Sequence, residues 1–258
     1  MNKDILKKIE KGSVYAIIPA RAGSKGVKHK NIKMLCGYPM IAYTICAAKL
    51  SDKISRVIVT TDSADYAEIA RKYGAETPFL RPAEISGDNA TDIEFMQHAI
   101  NWLYENEAMV PEFFVHLRPT NPMREINIMN KAIDEMINDT SATSLRSAHL
   151  AGNSPFKWFH KNSEGYYYSI LGDRTLDEAN NPRQAFPDVY IPDGYVDVLR
   201  TKFIVENDLM HGDRMIGFVS PDTVDIDTKS DLELLEYFVR KKKPTILTYL
   251  EGNFRKEE

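Results

Sequence analysis

The stretch VYAIIPARAGSKG, residues 14–26, carries the strongest indication of the fold. Residues 14–19 form an apolar run without alternating polar positions, which predicts a strand buried on both faces. Similar runs at residues 56–60 and 113–117 predict two further strands. Apolar residues recur at helical spacing over residues 39–50, 64–73, 91–104 and 126–137. Short strands that alternate with amphipathic helices predict a layered α/β fold.

The alternation breaks between residues 153 and 192, a segment rich in Asn, Pro, Gly and aromatic residues. We interpret residues 1–258 as a single domain that carries residues 153–192 as an insertion with short strands of its own. The insertion is expected to cover the active site, to contact a partner subunit, or both. A strand at 215–219 and a helix at 229–240 close the domain, and the tail after Lys243 is expected to be loosely held.

Composition narrows the classes of function. The net charge of −4 argues against a general nucleic-acid binder, which would carry a basic excess. The apolar runs are too short to span a bilayer, and the charged first residues do not resemble a signal peptide. Cys36 and Cys46 are expected to be reduced thiols. We therefore expect a soluble, cytoplasmic protein with neither nucleic acid nor a membrane as its partner.

Positive charge is concentrated where the first predicted strand ends. Between Lys11 and Ser51 the sequence has no acidic residue but seven basic ones, which are Lys11, Arg21, Lys25, Lys28, Lys30, Lys33 and Lys49. Ligands of open α/β sheets bind at the carboxyl ends of the strands, and Gly23 and Gly26 let backbone N–H groups approach an anion. The pattern favours a polyphosphate site over the alternative of a solvated basic loop, although it lacks the P-loop and dinucleotide spacings.

Asp225 and Asp227 form a second candidate site near the end of the chain. At i and i+2 of an extended segment their side chains share one face, with Cα atoms about 7 Å apart. Such a pair suits a Mg²⁺ ion that also binds phosphate oxygens and water. Alternatively, the two aspartates are turn and helix-capping residues. The sequence contains no nucleophile elbow and no histidine or cysteine spacing typical of a zinc site.

Several short motifs follow one another along the chain. The first is Ile18-Pro19-Ala20-Arg21-x-Gly23-Ser24-Lys25-Gly26, followed by Lys30-Asn31. The others are Thr60-Thr61-Asp62-Ser63, Phe79-Leu80-Arg81-Pro82, Leu117-Arg118-Pro119-Thr120-Asn121-Pro122-Met123-Arg124, Arg183-Gln184 and Asp225-Ile226-Asp227. In this order the motifs resemble the CMP-sialic acid synthetase (acylneuraminate cytidylyltransferase) family, over roughly residues 14–238.

This resemblance implies a Rossmann-like nucleotidyltransferase fold and a homodimer whose insertion reaches the neighbouring subunit. The implied reaction joins CTP and an acidic 2-keto-3-deoxy sugar to give a CMP-sugar and pyrophosphate. Arg21, Lys25 and Lys30 would hold the triphosphate, with Asn31 and Arg81 near the ribose or base. The rest of the implied nucleotide site is Ala20, Gly23 and Ser24. The implied sugar site is Arg118, Thr120, Arg183, Gln184, Asp193 and Asp197. Asp225 and Asp227 would bind Mg²⁺, and Arg21, Lys25 and Asp227 would be catalytic.

Three positions depart from the family pattern, and all three lie in the implied sugar site. Arg118 stands where many members have Gln, and Asp193 and Asp197 stand where sialic-acid enzymes usually have Asn and Tyr. We therefore expect a sugar other than N-acetylneuraminate, such as another nonulosonic or ketodeoxy acid.

Two alternatives remain open from the sequence. The first is an enzyme of the same fold that uses a sugar phosphate or another nucleoside triphosphate, for which Arg118, Arg124 and Arg183 could supply acceptor-side cations. The second is a non-catalytic nucleotide-binding module, which would not need the paired aspartates.

Overall fold

The computed structural model describes residues 1–23, 27–172, 175–221, 226 and 228–256. The strands are β1 Ile9–Pro19, β2 Met34–Leu35, β3 Tyr38–Pro39, β4 Arg56–Thr60, β5 Val110–His116, β6 Ser144–Leu150, β7 Phe159–Lys161, β8 Tyr167–Ser169, β9 Tyr190–Arg200 and β10 Met215–Val219. The α-helices are α1 Met40–Lys49, α2 Ala64–Lys72, α3 Asp92–Glu107, α4 Ile126–Asn138, α5 Thr201–Asn207, α6 Lys229–Lys242 and α7 Thr245–Asn253.

Six strands form one sheet in the order β10-β6-β9-β5-β1-β4. Strand β1 runs parallel to β4 and to β5, and β10 runs parallel to β6. Strand β9 lies antiparallel between β5 and β6. The carboxyl ends of β1, β4 and β5 therefore meet at one edge of the sheet, where ligands of open α/β sheets bind.

Both faces of the sheet are covered by helices. Along β1, Val14, Ala16 and Ile18 pack into one apolar core with α1, α2, α4, α6 and α7. Tyr15 and Ile17 point to the other face and pack with α3 and α5. This two-sided burial is why β1 is a continuous apolar run rather than an alternating one.

The predicted layered α/β fold is confirmed, and the strands predicted at 56–60 and 215–219 have the observed bounds. The expectation that the tail after Lys243 is loosely held is wrong. Helix α7 packs on α1, with Ile246, Leu247 and Leu250 buried. Only a few apolar residues dock this short helix, so its sequence gives little periodic signal.

Residues 153–192 carry a small two-stranded unit apart from the main sheet. Strands β7 and β8 pair antiparallel with each other. Three neighbouring aromatic side chains of this hairpin region, Trp158, Phe159 and Tyr167, are between 42% and 60% exposed. The part of the chain that the structure describes contains no helix long and apolar enough to cross a membrane.

Candidate active site

An open cavity of about 340 Å³ lies at the carboxyl ends of β1 and β5. Four basic side chains line it, those of Arg21, Lys30, Arg81 and Arg118. Asn31, Thr120 and the first residues of α3 complete the wall. Residues predicted for the nucleotide and for the sugar therefore meet in one place, although they come from distant parts of the sequence.

Backbone contacts at the end of β1 shape the first wall of this cavity. The N–H of Ala20 donates to the carbonyl of Thr60 over 2.9 Å, which extends the pairing of β1 with β4. Immediately afterwards, the N–H of Ala22 donates to Asp62 Oδ1 over 2.8 Å. Asn31 Nδ2 donates to the carbonyl of Arg21 over 3.0 Å. The loop is thereby tied to β4 on one side and to Asn31 on the other.

The Arg21 guanidinium is held by groups of the loop before α3. Its Nη1 donates to the carbonyl of Gly87, and its Nη2 lies 3.6 Å from Asp88 Oδ1. The Arg21 side chain is 31% exposed, so a ligand in the cavity can contact it. Around Gly23, two residues further on, no atom of the described residues lies within 4 Å of where a Cβ would stand.

Arg81 is a buried arginine that is held by neutral groups. Its Nη2 donates to the carbonyl of Thr60 over 2.7 Å and its Nε to the hydroxyl of the same residue over 3.2 Å. Its guanidinium carbon lies 4.9 Å from the ring centre of Phe95, a cation–π distance. Burial lowers the pKa of Arg81 to about 10, so it is still charged at neutral pH.

Lys30 connects the cavity to Ile226. Its Nζ donates to the carbonyl of Ile226 over 2.6 Å. Ile226 is buried and stands between Asp225 and Asp227 in the sequence. The predicted metal ligands Asp225 and Asp227, together with Ser24 and Lys25, lie outside the described residues. Among the described residues, no group of three or more His, Cys, Asp or Glu side chains could hold a metal ion.

Arg118, which the sequence predicts to face the sugar, is held by two carboxylates. Its Nη1 donates to Asp197 Oδ2 over 3.1 Å, and its Nη2 donates to Asp92 Oδ2 over 3.2 Å. Asp197 is fully buried in β9, opposite His116 of β5 and Arg146 of β6. Burial alone would raise the pKa of Asp197, but His116, Arg118 and Arg146 together lower it to about 2. Asp197 is thus an ionised group behind Arg118 and does not line the cavity itself.

Asp193 stabilises a bulge in β9. Arg146 pairs with Asp197 while Ala148 pairs with Pro192, so β9 carries extra residues at this point. Asp193 Oδ1 accepts from the hydroxyl of Ser147 over 2.7 Å and from the N–H of Tyr195 over 3.0 Å. The Asp193 carboxylate thereby provides a hydrogen-bond acceptor for the backbone N–H of Tyr195, which the bulge leaves outside the regular ladder.

The remaining predicted sugar residues are divided between two places. Thr120 lines the cavity beside Arg118. Arg183 and Gln184 lie in a short 3-10 helix within residues 153–192, are exposed, and are not among the residues that line the cavity. Their role in sugar binding stays a prediction.

Several residues that shape the site escaped the sequence analysis. Asp92 and Phe95 line the cavity from the start of α3, and Arg146 contributes to the charge around Asp197. A basic residue flanked by apolar and small residues in the strand SLRSAHL was the available signal for Arg146. Arg124 proves to be fully buried, and its Nε donates to the carbonyl of Tyr195 over 2.6 Å. It supports the backbone and does not line the cavity.

Comparison with known proteins identifies relatives of this chain. The family model described as cytidylyltransferase matches residues 15–201. The chain is 32% identical over 231 residues to an N-acylneuraminate cytidylyltransferase of Escherichia coli, covering 89% of this chain and 52% of the relative. It is 31% identical over 232 residues to a CMP-N,N'-diacetyllegionaminic acid synthase of Legionella pneumophila, covering 86% of this chain and 94% of the relative. The chain thus spans about half the length of the first relative and nearly all of the second.

A solved structure supports the fold. The CMP:2-keto-3-deoxy-manno-octonic acid synthetase complexed with CTP superposes with a TM-score of 0.65 at 16% identity, covering 89% of this chain and 99% of that one. The predicted Rossmann-like nucleotidyltransferase fold is confirmed by this likeness. The resemblance stated from the sequence motifs is confirmed by the family model and the relatives. The chain belongs to the cytidylyltransferase family.

Proposed function

We propose that the protein is a CMP-sugar synthetase that transfers CMP from CTP to a 2-keto-3-deoxy sugar acid of the nonulosonate class. The observation that carries this proposal is the convergence of Arg21, Lys30, Arg81 and Arg118 on one cavity at the carboxyl ends of β1 and β5. The relatives are named for CMP activation of such acids, and the solved structure was complexed with CTP.

The chemistry requires charge stabilisation more than a covalent intermediate. The anomeric hydroxyl of the sugar attacks the α-phosphorus of CTP, the new P–O bond forms, and the bond to pyrophosphate breaks. The hydroxyl proton leaves to solvent or to a neighbouring base. Negative charge grows on the phosphoryl oxygens and on the leaving pyrophosphate, where preorganised cations stabilise it. Arg21 and Lys30 are positioned in the cavity wall for that role.

Mg²⁺ is the cofactor that we propose, with Asp225 and Asp227 as its ligands. The contact between Lys30 and the carbonyl of Ile226 supports this assignment. Lys30 lines the cavity, and Ile226 stands between the two aspartates in the sequence. Oxygen ligands of this kind suit Mg²⁺. When bound, the ion would neutralise charge on the triphosphate. Removal of divalent ions by a chelator should abolish activity, and Mg²⁺ or Mn²⁺ should restore it. Full activity in excess chelator would disprove the metal assignment.

We also propose a homodimer formed through the insertion, in the cytoplasm, where CTP is available. The support for the dimer is the group of exposed aromatic side chains around β7 and β8, such as Trp158 and Tyr167. Exposed apolar patches of this kind mark protein interfaces. Mass measurement in solution at micromolar concentration should give twice the chain mass, and a monomer would contradict the proposal.

The geometry gives less support to a sugar phosphate as the acceptor. Such a substrate needs additional free cations, but Arg124 is buried against backbone carbonyls and both terminal nitrogens of Arg118 already contact carboxylates. A non-catalytic nucleotide-binding module would not explain a cavity that holds acceptor-side residues beside the nucleotide-side ones.

A substrate panel tests the proposal directly. CTP, UTP, GTP and ATP are each combined with sugar acids and sugar 1-phosphates, and pyrophosphate release is measured. We expect release with CTP and a nonulosonic or ketodeoxy acid other than N-acetylneuraminate, at a rate well above that with N-acetylneuraminate. Release only with sugar 1-phosphates, or with none of the acids, would overturn the proposed function.

A further inference from the structure

A separate cavity of about 780 Å³ lies where α4 begins and where α6 is followed by α7. Its wall includes Asn121, the first residues of α4 and residues 242–246, and we call it the α4–α7 cavity. Among the described residues, none lines both this cavity and the one at the carboxyl ends of β1 and β5. The α4–α7 cavity is therefore distinct from the proposed substrate site.

Two helices begin in the wall of the α4–α7 cavity without a side-chain cap. Helix α4 follows Glu125 and helix α7 follows Pro244, and neither residue gives its helix a side-chain hydrogen bond. The first N–H groups of an α-helix have no acceptor within the helix. The positive ends of two helix dipoles thus lie in one wall, and such ends favour anions.

Two lysines at the end of α6 add positive charge to this wall. Lys242 is the last residue of α6, and Lys243 follows it with a φ of +43° that ends the helix. Both lysines are exposed, and neither forms an ion pair within the described ranges. Lys242 lies over the ring of Phe238 at 6.0 Å, which leaves its N–H groups free to donate. Cations also suit the end of a helix without any ligand, but that role does not account for the two helix starts beside them.

Asn121 carries an unsatisfied hydrogen-bond donor in the same wall. The residue is only 5% exposed, and its Nδ2 donates to no acceptor in the part of the chain that the structure describes. Buried side-chain donors are nearly always hydrogen-bonded, because an unpaired one is costly. An oxyanion in the α4–α7 cavity would supply the acceptor. This observation is independent of the helix starts and the lysines.

The rest of the wall suits an organic molecule. Met123, Ile126 and Ile246 provide apolar surface. Among the described lining residues, Glu125 is the one acidic side chain, and it is exposed, so it can turn toward solvent. The cavity therefore combines a cationic region with an apolar one.

We propose that the α4–α7 cavity binds the phosphate group of a small organic phosphate. A phosphate monoester carries a charge of about −1.5 to −2 at pH 7 and three acceptor oxygens. These match two lysines, two helix starts and the amide of Asn121. A carboxylate, with one charge and two oxygens, would leave several of these donors unused. The apolar residues would contact the organic part. The inference goes beyond the proposed function and does not depend on it.

Titration calorimetry with phenyl phosphate tests the proposal. The double variant Lys242→Gln/Lys243→Gln should raise the Kd at least about tenfold, which is ~1.4 kcal/mol. Asn121→Ala should raise the Kd several-fold, and the lysine variants keep the test valid if this protein does not fold. The matched control is Lys241→Gln, because Lys241 belongs to the same basic run but does not line the cavity. Its Kd should stay within about twofold of wild type, as expected for an exposed charge.

Two further comparisons identify the site and the ligand class. Arg21→Ala weakens any binding of phenyl phosphate in the proposed substrate site, and we expect one molecule per chain to stay bound at the wild-type Kd. Benzoate should bind more weakly than phenyl phosphate. Unchanged binding in the double variant would overturn the proposal, as would loss of all binding in Arg21→Ala. An equal loss in Lys241→Gln would indicate a general basic surface and would also overturn it. Equal affinity for benzoate would refute the assignment to phosphate.

Discussion

Arg81 and Arg118, on the two sides of the cleft, are held in different ways. On the proposed nucleotide side, Arg81 is held by the carbonyl and hydroxyl oxygens of Thr60, which are neutral. On the proposed acceptor side, Arg118 is held by the carboxylates of Asp197 and Asp92. A cation held by neutral groups keeps its charge available for a polyphosphate. One held by carboxylates is fixed in direction but partly neutralised, so we expect the acceptor side to select its ligand by shape and donor placement more than by net charge.

The largest expected effect is the loss of stability caused by Asp197→Asn. The carboxylate is fully buried between His116, Arg118 and Arg146, and the amide removes its charge. Removing one partner of a buried charge cluster destabilises by about 3–5 kcal/mol. Denaturant unfolding measures the change, with Asp65→Asn on the exposed start of α2 as the control. A loss below about 1 kcal/mol would show that the acceptor side does not depend on this carboxylate.

Arg21→Ala should have the largest effect on catalysis. Arg21 is partly exposed, so the fold should persist while kcat/KM falls about 100-fold, or ~3 kcal/mol of transition-state stabilisation. Lys25→Ala should act similarly, because Lys25 belongs to the same basic stretch of the sequence. Arg71→Ala on α2 is the control, because Arg71 is an exposed cation that contacts Thr77. Turnover close to wild type in Arg21→Ala would contradict the assignment of Arg21 to the nucleotide side of the cleft.

Acid titration should sharpen the contrast between the two sides. The pKa of Asp197 falls from an ordinary 3.8 to about 2 in the folded protein. Its ionisation therefore stabilises the fold above pH 4, and this contribution is lost as the pH falls through 2. The difference in unfolding free energy between wild type and Asp197→Asn should shrink by about 2 kcal/mol from pH 5 to pH 2. A difference that does not vary with pH would mean that Asp197 is not held ionised by its neighbours.

The smallest expected effect concerns Gly194, next to Asp193 in the β9 bulge. Its φ is +66°, and a Cβ there would stand 2.7 Å from Arg118 Cδ. Gly194→Ala should cost about 1–2 kcal/mol of backbone strain and also displace Arg118, so the KM for the acceptor rises several-fold while the KM for CTP does not. Gly12→Ala is the matched control, because Gly12 also has positive φ but no atom of the part of the chain that the structure describes lies within 4 Å of its Cβ position. Equal acceptor KM values in both variants would contradict the positioning of Arg118 described here.

The nucleotide side could be predicted from the sequence because its signals are local. A continuous apolar run predicted β1, and the basic residues after it predicted an anion site at its end. Arg21, Lys30 and Asn31 come from this one stretch and line one cavity.

The acceptor side could not be predicted in the same way because its contacts cross strands. Asp197 and Arg146 meet only because β9 inserts antiparallel between β5 and β6. That strand contains Pro192, Gly194 and two aspartates, which weaken any strand pattern. The family pattern marked Asp193 and Asp197 as sugar residues, whereas the structure places them behind the cavity wall, one in a bulge and one beneath Arg118.

The most direct measurement of the central claim is identification of the reaction products. Purified protein is incubated with CTP, Mg²⁺ and a nine-carbon 2-keto-3-deoxy sugar acid, and the products are resolved by mass spectrometry. We expect a CMP-sugar ester and pyrophosphate in a 1:1 ratio, with UTP giving neither. Products that contain a nucleoside diphosphate sugar, or hydrolysis of CTP to CMP without transfer to the sugar, would contradict the assignment.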